Sequence, residues 1–417
     1  MKLAVIGAGI IGVTTAYELA ADGHDVTVFE RCGAAAEETS FANAGVIAPG
    51  YVTPWAAPGM RTKVAQYLFS RHAPVKIGWP LSARELGWMW RWWRACKLDT
   101  YLANRTRLQR LAFYSRERLH ELTGDLQLEY DRSDGYMVLL RAEKDRKLVL
   151  PGLQVLRDAG VAFREIDAAE ARQVEPALNP DTEFLGAVHL PGDEVGNCRQ
   201  FALLLKNEAQ RLGAEFMFQT TVAKLDRAAP DTLWVAGESE PRRFDAIVLC
   251  AGLASAALLR PLGLKLPIAP VYGYSVSAPI REPLNAPRSA VMDERFKVAI
   301  SRLGNRVRVA GSAEIGGSPR RHRAAAVQTL YKVLQDWFPG AAQLSGGIQE
   351  WKGARPMLPD GPPVIGPAGL PGLWLNLGHG SSGWALSCGS ARAVADLVAG
   401  RTPEVDLEGL GPARIGL

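Results

Sequence analysis

Residues 2–31, KLAVIGAGIIGVTTAYELAADGHDVTVFER, limit the possible folds more than any other stretch of this 417-residue chain. Their hydrophobic pattern predicts a buried strand at Leu3 to Ile6, a glycine turn, a helix ending near Ala21 and a second strand ending at Glu30. A strand, a helix and a second strand of this combined length form a βαβ unit, whose strands lie parallel in one sheet. The sequence therefore predicts an α/β fold.

The turn of this βαβ unit carries the spacing Gly-x-Gly-x-x-Gly. Gly7 allows a tight turn, Gly9 lets the backbone approach a pyrophosphate, and Gly12 permits close packing of the helix on the strand. The start of the helix also offers free N–H groups and a positive dipole end to phosphates. Glu30 is placed to accept hydrogen bonds from a ribose diol, and its charge disfavours a 2′-phosphate. The unit therefore predicts a site for FAD or NAD rather than NADP.

The segment after the βαβ unit bears on the choice between these two dinucleotides. It reads RCGAAAEETSFANAGVIAPGY, a long run of small residues where an NAD-binding domain would start its next helix. Long loops of this kind are commonly functional, although a flexible surface excursion is the alternative. Thr39, Ser40 and Asn43 supply short hydrogen-bonding groups, and Ala44 and Gly45 let the backbone lie flat against an extended ligand.

Two later segments also end a predicted strand in glycine. They are FDAIVLCAGLAS, which contains Gly252, and LWLNLGHGSSGW, which opens a long helix. Three such strand ends spread across the chain indicate one discontinuous cofactor domain.

Composition and charge exclude several other classes of protein. The formal net charge is +5, from 48 basic and 43 acidic residues, which is far from the clustered excess that nucleic-acid binding requires. The five cysteines lie far apart and in odd number, so we expect no disulfide framework, no metal site and a reducing compartment. The sequence shows neither a secretory signal nor an apolar run of the roughly 18 residues that span a bilayer. We therefore expect a cytoplasmic globular protein.

Several longer motifs then carry a family resemblance. ETSFANAGVIAPGYVTPWAAPG, FSRHAP, LPGDEVGNC, GARPMLPDGPPVIG and NLGHGSSGW follow one another in this order. In that order and spacing the chain, from Lys2 to about Leu407, resembles the FAD-dependent D-amino acid dehydrogenases, which belong to a larger group with D-amino acid oxidase, glycine oxidase and sarcosine oxidase. The resemblance implies a glutathione-reductase-like FAD-binding Rossmann domain at 1–54, 145–260 and 351–417. An α+β substrate domain with a mixed sheet would take 55–144 and 261–350.

The resemblance also implies which residues hold FAD. The ADP half would contact Ile6, Gly7, Gly9, Ile10, Ile11, Gly12, Glu30, Arg31 and the backbone of Val222. The pyrophosphate and the isoalloxazine would contact Thr39, Ser40, Asn43, Ala44 and Gly45. Ala251 and Gly252 would back the dinucleotide, and the ribityl chain and pyrimidine edge would border Gly380, Ser381, Ser382, Gly383, Trp384 and Ala385.

Arg355, within GARPMLPDG, is the candidate for binding a substrate carboxylate. A guanidinium binds a carboxylate through two parallel hydrogen bonds and keeps its charge at working pH. Gly353 and Ala354 leave room on the approach, and Pro356 restricts Arg355 to extended conformations. A salt bridge at the surface or between domains is the alternative. The segment resembles the carboxylate-binding arginine site of D-amino acid oxidase and glycine oxidase.

Three other side chains are candidates for the catalytic site. His379 sits between glycines at a strand end, where a contact with the cofactor is favoured over acid–base catalysis. Tyr272 and Tyr274 occupy alternate positions of a predicted strand and so share a face, from which one could contact substrate; a structural role for both is equally favoured. Many family members carry lysine where this chain has Tyr272, which puts the preferred substrate in doubt more than the type of reaction.

The activity implied by the resemblance is oxidative deamination of D-amino acids, D-alanine among them, to 2-oxo acids and ammonia. The substrate would pass a hydride to FAD, and the electrons would go on to a quinone or another acceptor that is not oxygen. The protein then has to supply positioning and a dry pocket, and no general base is obligatory. A D-hydroxyproline dehydrogenase and a glycine- or sarcosine-type amine oxidase stay open, as does a non-catalytic dinucleotide-binding module.

A tryptophan-rich stretch raises the possibility of a membrane partner. Trp79, Trp88, Trp90, Trp92 and Trp93 are interleaved with arginines there. Tryptophan and arginine together suit a membrane interface, whereas aromatic packing inside the substrate domain is slightly favoured by the sequence alone. Peripheral contact with the inner face of the cytoplasmic membrane would suit an enzyme that passes electrons to the respiratory chain.

Overall fold

A computed structural model describes residues 1–60 and 73–417 of the chain. The motif FSRHAP lies mostly outside these residues. The strands are β1 (Lys2–Ile6), β2 (Asp25–Phe29), β3 (Val46–Ile47), β4 (Val75–Ile77), β5 (Arg132–Leu140), β6 (Arg164–Asp167), β7 (Gly186–Gly196), β8 (Glu215–Met217), β9 (Val222–Leu225), β10 (Thr232–Val235), β11 (Arg242–Arg243), β12 (Ala246–Leu249), β13 (Ala269–Pro279), β14 (Ala290–Asp293), β15 (Val298–Leu303), β16 (Arg306–Ile315), β17 (Gln349–Met357), β18 (Val364–Pro367) and β19 (Leu373–Leu377). The α-helices are α1 (Ile10–Ala21), α2 (Ala83–Ala95), α3 (Leu98–Asp125), α4 (Glu143–Asp158), α5 (Ala168–Val174), α6 (Cys198–Arg211), α7 (Ser255–Leu259), α8 (Ala324–Trp337) and α9 (Gly383–Val398).

The first of the two large sheets contains the predicted βαβ unit. Its order is β18-β19-β12-β1-β2-β8, and all pairs are parallel except the edge pair of β18 with β19. Helix α1 connects β1 to β2, as the hydrophobic pattern predicts. Because both faces of a parallel sheet are covered, its strands read as continuous apolar runs, which is how β1 and β12 appear in the sequence.

Helices α1, α3, α6 and α9 share one core with this sheet. A buried carboxylate joins three of them. Glu18 of α1 is fully buried, and its two oxygens pair at 2.8 Å with Arg118 of α3 and with Arg392 of α9. A buried charge is tolerated only when it is paired and hydrogen-bonded, so this triad fixes how the helices pack behind the glycine turn.

The second large sheet is mixed and has ten strands, in the order β17-β13-β16-β15-β14-β5-β7-β3, with β4 beside β16 and β6 beside β7. Helix α8 packs on one face through a core that includes Trp337 and Tyr274. A third, three-stranded sheet has the order β11-β10-β9. A parallel sheet next to a mixed one confirms the predicted α/β fold class.

The predicted division into domains does not follow the strand pairing. Strands β6 and β7, expected in the cofactor domain, pair within the ten-stranded sheet, and so does β17. Helix α3, expected in the substrate domain, packs in the core of the parallel sheet. We therefore propose that the middle cofactor segment begins near α6 and the last one after β17, because pairing between distant segments, and not local sequence, decides sheet membership.

Candidate active site

The glycine turn between β1 and α1 leaves no room for side chains. Gly7 has φ +103°, and a Cβ there would lie 2.8 Å from the carbonyl oxygen of Cys250. A Cβ at Gly12 would collide with the carbonyl oxygen of Gly7, and one at Gly9 would lie 3.4 Å from Ser40 Oγ. The turn therefore brings bare backbone to the surface where β1 and β12 end.

The first turn of α1 presents its amide groups at the same place. The N–H of Ile10 donates to Ser40 Oγ at 3.0 Å, so the loop after β2 supplies the cap that Gly9 lacks. The N–H groups of Ile11 and Gly12 fall in the first turn, where a helix offers them no carbonyl partner. Ile6, at the end of β1, is buried below them. This arrangement suits a phosphate.

Glu30 follows directly after β2, and its carboxylate lies beside the glycine turn. One oxygen accepts from the N–H of Ala8 at 2.7 Å and the other from the N–H of Cys32 at 2.8 Å. Each oxygen has a further lone pair that could accept a ribose hydroxyl. Arg31 points elsewhere and pairs with Glu38 at the surface.

Glu30→Ala is expected to weaken FAD binding by about 1.5 to 3 kcal/mol for each charge-assisted hydrogen bond lost, or at least about tenfold in dissociation constant. Titration of the apoprotein with FAD, followed by flavin fluorescence, measures this. Glu38→Ala removes a nearby exposed carboxylate and is the matched control. Equal affinity of the Glu30 and Glu38 variants would contradict the assigned role.

Two more predicted contacts lie around the end of the parallel sheet. Thr220, two residues before Val222, donates its N–H to the carbonyl of Glu30 at 2.8 Å, which places Val222 beside the end of β2. On the other side, Ala251 and Gly252 follow β12, and Gly252 has φ +51°. The structure thus gathers these residues around the glycine turn, and their contact with the cofactor stays a prediction.

The loop from Thr39 to Gly45, here called the cover loop, crosses from the parallel sheet to the ten-stranded one. Thr39 Oγ1 donates to the carbonyl of Ala354 at 2.7 Å. Ser301 Oγ donates to the carbonyl of Ala44 at 2.7 Å. Gly45 has φ +77°, and a Cβ there would lie 2.9 Å from the carbonyl oxygen of Gly196. The small residues of the cover loop therefore allow it to lie flat on the ten-stranded sheet.

The loop before α9 offers the predicted cofactor site backbone groups more than side chains. Gly380, Ser381 and Ser382 form a 3₁₀ turn, and Ser381 is exposed. The ring of Trp384, in contrast, is buried against Phe201, and its indole N–H donates to the carbonyl of Gly196 at 3.2 Å. Gly383 and Ala385 begin the helix beside it. Trp384 is thus a core residue, and only its backbone could border a cofactor.

His379 is buried in the same loop and has a structural partner. Its Nε2 lies 3.0 Å from Ser390 Oγ of α9. Burial lowers the pKa of His379 to about 3, so the ring is neutral at working pH. A neutral ring that is hydrogen-bonded within the fold argues against acid–base catalysis and indicates a structural role, and a contact of this loop with the cofactor stays a prediction.

Because His379 binds a proton less readily in the folded than in the unfolded protein, acid should destabilise the fold through it. The loss of stability should begin below the unfolded pKa of about 6.5 and continue toward the folded pKa of about 3. His379→Gln should therefore flatten the decline of the melting temperature between pH 6 and 4. The pH profile of activity should keep its shape in this variant, and a displaced limb would contradict the structural role.

Arg355 lies on the face of the ten-stranded sheet that the cover loop crosses. It stands opposite Val271 in the pairing of β17 with β13, and its guanidinium lies over Gly273, where a Cβ would come within 2.6 Å of Cζ and Nη1. Nη1 donates to the carbonyl of Ser312 at 3.2 Å. The guanidinium also lies 5.9 Å from the ring centre of Trp55. Gly273 thus provides the space in which the guanidinium rests.

In the part of the chain that the structure describes, Arg355 forms no ion pair with a carboxylate. Burial lowers its pKa to about 10, so the group stays charged at neutral pH. A buried cation without a counter-ion is costly unless an anion binds to it. Arg355 is therefore suited to a carboxylate ligand, and the alternative of a salt bridge is not what the structure shows.

Tyr272 and Tyr274 project from the opposite face of the sheet. The ammonium of Lys352, which stands opposite Tyr274, lies 4.4 Å from the Tyr272 ring centre and 5.2 Å from that of Tyr274. The hydroxyl of Tyr274 donates to Glu314, which also pairs with Lys352 at 2.9 Å. Burial and the Glu314 carboxylate raise the pKa of Tyr274 well above its usual value. The predicted contact of either tyrosine with a substrate held by Arg355 is thus not supported, because Gly273, which faces Arg355, lies between them and adjacent residues of a strand face opposite ways.

Other residues of the site were missed by sequence reasoning. Ser312, which accepts from Arg355, has φ +59° and occupies an irregularity in the pairing of β16 with β13. Trp55 and Arg308 were missed as well, since neither belongs to a motif whose spacing indicates a site.

A small cleft lies beside these residues. It is lined by Pro54, Trp55, Met357, His379, Ser381 and Ser382. The glycine in PVYGYS was a usable signal for Gly273, because glycine inside a strand often marks close approach of another group.

These features are those of a dinucleotide-binding enzyme: the end of the parallel sheet suits the cofactor, and the mixed sheet carries a charged group that forms no ion pair within the described residues. Comparison with known proteins gives the family. The family model described as DAO, FAD dependent oxidoreductase, matches residues 2–397. The chain belongs to this family of FAD-dependent oxidoreductases.

Two named relatives match over the full length. The D-amino acid dehydrogenase of Bradyrhizobium diazoefficiens is 44% identical over 98% of both chains. That of Rhizobium johnstonii is 42% identical over 100% of both. Among solved structures, glycine oxidase from Geobacillus kaustophilus superposes with a TM-score of 0.78 at 23% identity, covering 99% of this chain and 98% of that one. L-proline dehydrogenase from P. horikoshii superposes with a TM-score of 0.74 at 17% identity, covering 99% of this chain and 97% of that one. The structural likeness shows a shared fold.

The residues present fit FAD. The bare glycine turn and the first-turn amides of α1 suit the pyrophosphate, and the Glu30 carboxylate beside them suits the ribose. The cover loop then leads from this end to the sheet face that carries Arg355.

Proposed function

We propose that this enzyme oxidises D-amino acids to 2-oxo acids and ammonia and passes the electrons to a quinone or another acceptor that is not oxygen. The observation that carries the proposal is Arg355, a half-buried guanidinium without a carboxylate partner among the described residues, on the sheet face below the cover loop. The name of the relatives at 42% and 44% identity supports the D-configuration and the use of an acceptor other than oxygen.

In this proposal the protein mainly positions the substrate. Arg355 binds the carboxylate through two N–H groups and so fixes the α-carbon. FAD, when bound, supplies the acceptor for the hydride that leaves the α-carbon. The Cα–H bond breaks with its electron pair, the lone pair of the neutral amine forms the C=N bond, and water hydrolyses the imine. Because the amine needs only to lose its extra proton, the structural roles of His379 and the tyrosines are compatible with this chemistry.

The experiment is to mix the enzyme anaerobically with D-, L- and N-alkyl amino acids. Reduction of the bound flavin is monitored through the loss of its visible absorbance. We expect D-amino acids to reduce it and their L-isomers not to. Faster reduction by glycine, sarcosine or D-hydroxyproline would replace the proposed substrate class. No reduction by any amine would favour a non-catalytic dinucleotide-binding module. Comparing the rates at which a soluble quinone and oxygen reoxidise the reduced flavin tests the proposed acceptor.

We also propose that α2 contacts a membrane surface. Leu86, Trp90 and Trp93 are 53%, 52% and 51% exposed, and their spacing places them on one face of the helix. Trp88, in contrast, is buried, and its indole N–H donates to the carbonyl of Met357 at 2.8 Å. Arg94 lies over the Trp90 ring at 4.8 Å. One face of α2 is thus fixed to the strand that carries Arg355, and the other presents apolar rings beside arginines, as an interfacial helix does. Within the described residues, no helix is long and apolar enough to cross a bilayer.

Replacing Trp90 and Trp93 together by serine is expected to move the protein from vesicles into the supernatant, because both rings leave the interface. Co-sedimentation with vesicles that contain anionic lipid measures this. Leu148→Ser with Leu284→Ser is the control, since these two leucines are also exposed, at 48% and 84%, but lie elsewhere. Wild-type protein that stays in the supernatant at low ionic strength would contradict the proposal.

A further inference from the structure

Arg308 is a buried arginine on the ten-stranded sheet, and the chemistry described above does not use it. It lies in β16 and is only 8% exposed. Its Nη1 donates to the carbonyl of Asn43 at 3.1 Å, whereas its buried Nε has no hydrogen-bond partner. In residues 1–60 and 73–417 it forms no ion pair with a carboxylate. Burial lowers its pKa to about 10, so it stays charged at neutral pH.

Arg308 and Arg355 share one face of the sheet. Arg308 stands opposite Ser301 of β15 and Ser277 of β13. Ser277 and Gly273 lie an even number of residues apart in β13 and therefore point to the same side, and the Arg355 guanidinium rests over Gly273. Between the two arginines, this face carries Ser275, which is buried and whose hydroxyl has no hydrogen-bond partner. Trp351 stands opposite Ser275, and its indole lies over Gly353 on the same face.

The cover loop lies on this face and is held at both ends. Near Arg355, Thr39 donates to the carbonyl of Ala354. Near Arg308, two neighbouring carbonyls of the loop are bound from below, Asn43 by Arg308 and Ala44 by Ser301. Ser301 is neutral and Arg308 is charged, so substitutions at the two anchors can distinguish the effect of the charge from the effect of holding the loop.

We propose that Arg308 is a positioning residue of the cofactor site, which holds the cover loop at Asn43 and supplies a fixed positive charge that favours reduction of the bound FAD. The inference rests on the predicted contact of the cover loop with the cofactor and does not depend on which amino acid is the substrate. Transfer of a hydride from a neutral amine leaves a positive iminium and adds one negative charge to the cofactor. A buried cation nearby stabilises that added charge, since the low dielectric of the interior weakens screening.

The experiment is measurement of the midpoint potential of bound FAD, without amino acid, in Arg308→Gln, Arg308→Lys and Ser301→Ala proteins. Glutamine keeps a donor for Asn43 but loses the charge. We expect it to shift the two-electron reduction equilibrium about tenfold toward the oxidised form, which is about 30 mV. Ser301→Ala removes the neutral anchor and should weaken FAD binding without moving the potential. Arg306→Gln is the matched control, because Arg306 also lies in β16 but donates to the carbonyls of Ser277 and Gly347 instead of the cover loop.

Arg308→Lys provides a second readout if the glutamine variant does not retain FAD. Lysine keeps the charge at neutral pH, so the potential should stay near the wild-type value there. Because a buried lysine loses its proton well below the pKa of arginine, the potential of this variant should fall more steeply with pH in the alkaline range. An Arg308→Gln protein at the wild-type potential, or an Arg308→Lys protein with a wild-type pH dependence, would overturn the inference. Both results are independent of whether D-amino acids prove to be substrates.

Discussion

Arg355→Leu is expected to bind FAD normally and to lose about 3 to 5 kcal/mol of transition-state stabilisation, which is about a hundred- to several-thousand-fold in kcat/KM. The loss has two parts. The substrate carboxylate would have no bidentate partner, and it would enter a buried surface without a counter-charge. Stopped-flow reduction of the flavin by a D-amino acid measures both the limiting rate and the half-saturation concentration.

Arg355→Lys should recover only part of this loss, because an ammonium lacks the planar fork of the guanidinium. Arg306→Leu is the control for removing an arginine from the same sheet. It should leave flavin reduction unchanged, since Arg306 binds the carbonyls of Ser277 and Gly347 instead of facing Gly273. An FAD-loaded Arg355→Leu protein that is reduced at the wild-type rate and half-saturation would refute the assignment.

Gly273→Ala is expected to lower kcat/KM by about a hundredfold although it adds a single methyl group to a residue without chemistry. The new Cβ would come within 2.6 Å of the guanidinium carbon, so Arg355 must shift. A displacement of about 1 Å in a positioning group is enough for a loss of this size. The effect should fall mainly on the half-saturation concentration for the amino acid, and the absorption spectrum of the bound flavin should be unchanged.

Gly346→Ala is the matched control, because a Cβ at Gly346 meets no atom within 4 Å. Melting temperatures of both variants separate a local displacement from general destabilisation. If Gly273→Ala reduces its flavin as the wild type does, the guanidinium does not need the position over Gly273 and the geometric argument for Arg355 fails.

The two sides of α2 suggest how membrane contact and substrate binding could be related in the proposed enzyme. Trp88 donates to Met357, the last residue of β17, and Arg84 donates to Ile268, the residue before β13. These two strands carry Arg355 and Gly273. The tryptophan variants therefore have a second use, since loss of vesicle binding with unchanged flavin reduction would show that the exposed face acts in docking alone.

The cofactor half of the site could be predicted from sequence because its signals are local. Gly7, Gly9 and Gly12 lie close together in sequence, and their spacing, with the strand and helix pattern on either side, predicts a βαβ unit with room for a phosphate. Glu30 follows from the same unit, since β2 must end beside β1. The composition of the loop after β2 indicated the cover loop, and the resemblance added the predicted contacts of that loop with FAD and supported the role of Arg355, each within one continuous motif.

The substrate half of the site, in contrast, depends on how distant strands pair, which only the tertiary structure shows. Only the register of β17 on β13 places Arg355 over Gly273, and the same register turns Tyr272 and Tyr274 to the opposite face. The irregular pairing of β16 with β13 brings the carbonyl of Ser312 to the guanidinium. Arg308 carries no local signal at all, because the residue that it holds, Asn43, lies 265 positions away in the chain. Hydrophobic pattern and motif spacing predict contacts between residues that are close in sequence. The role of a buried charge depends on the residues that surround it in space, which these patterns do not identify.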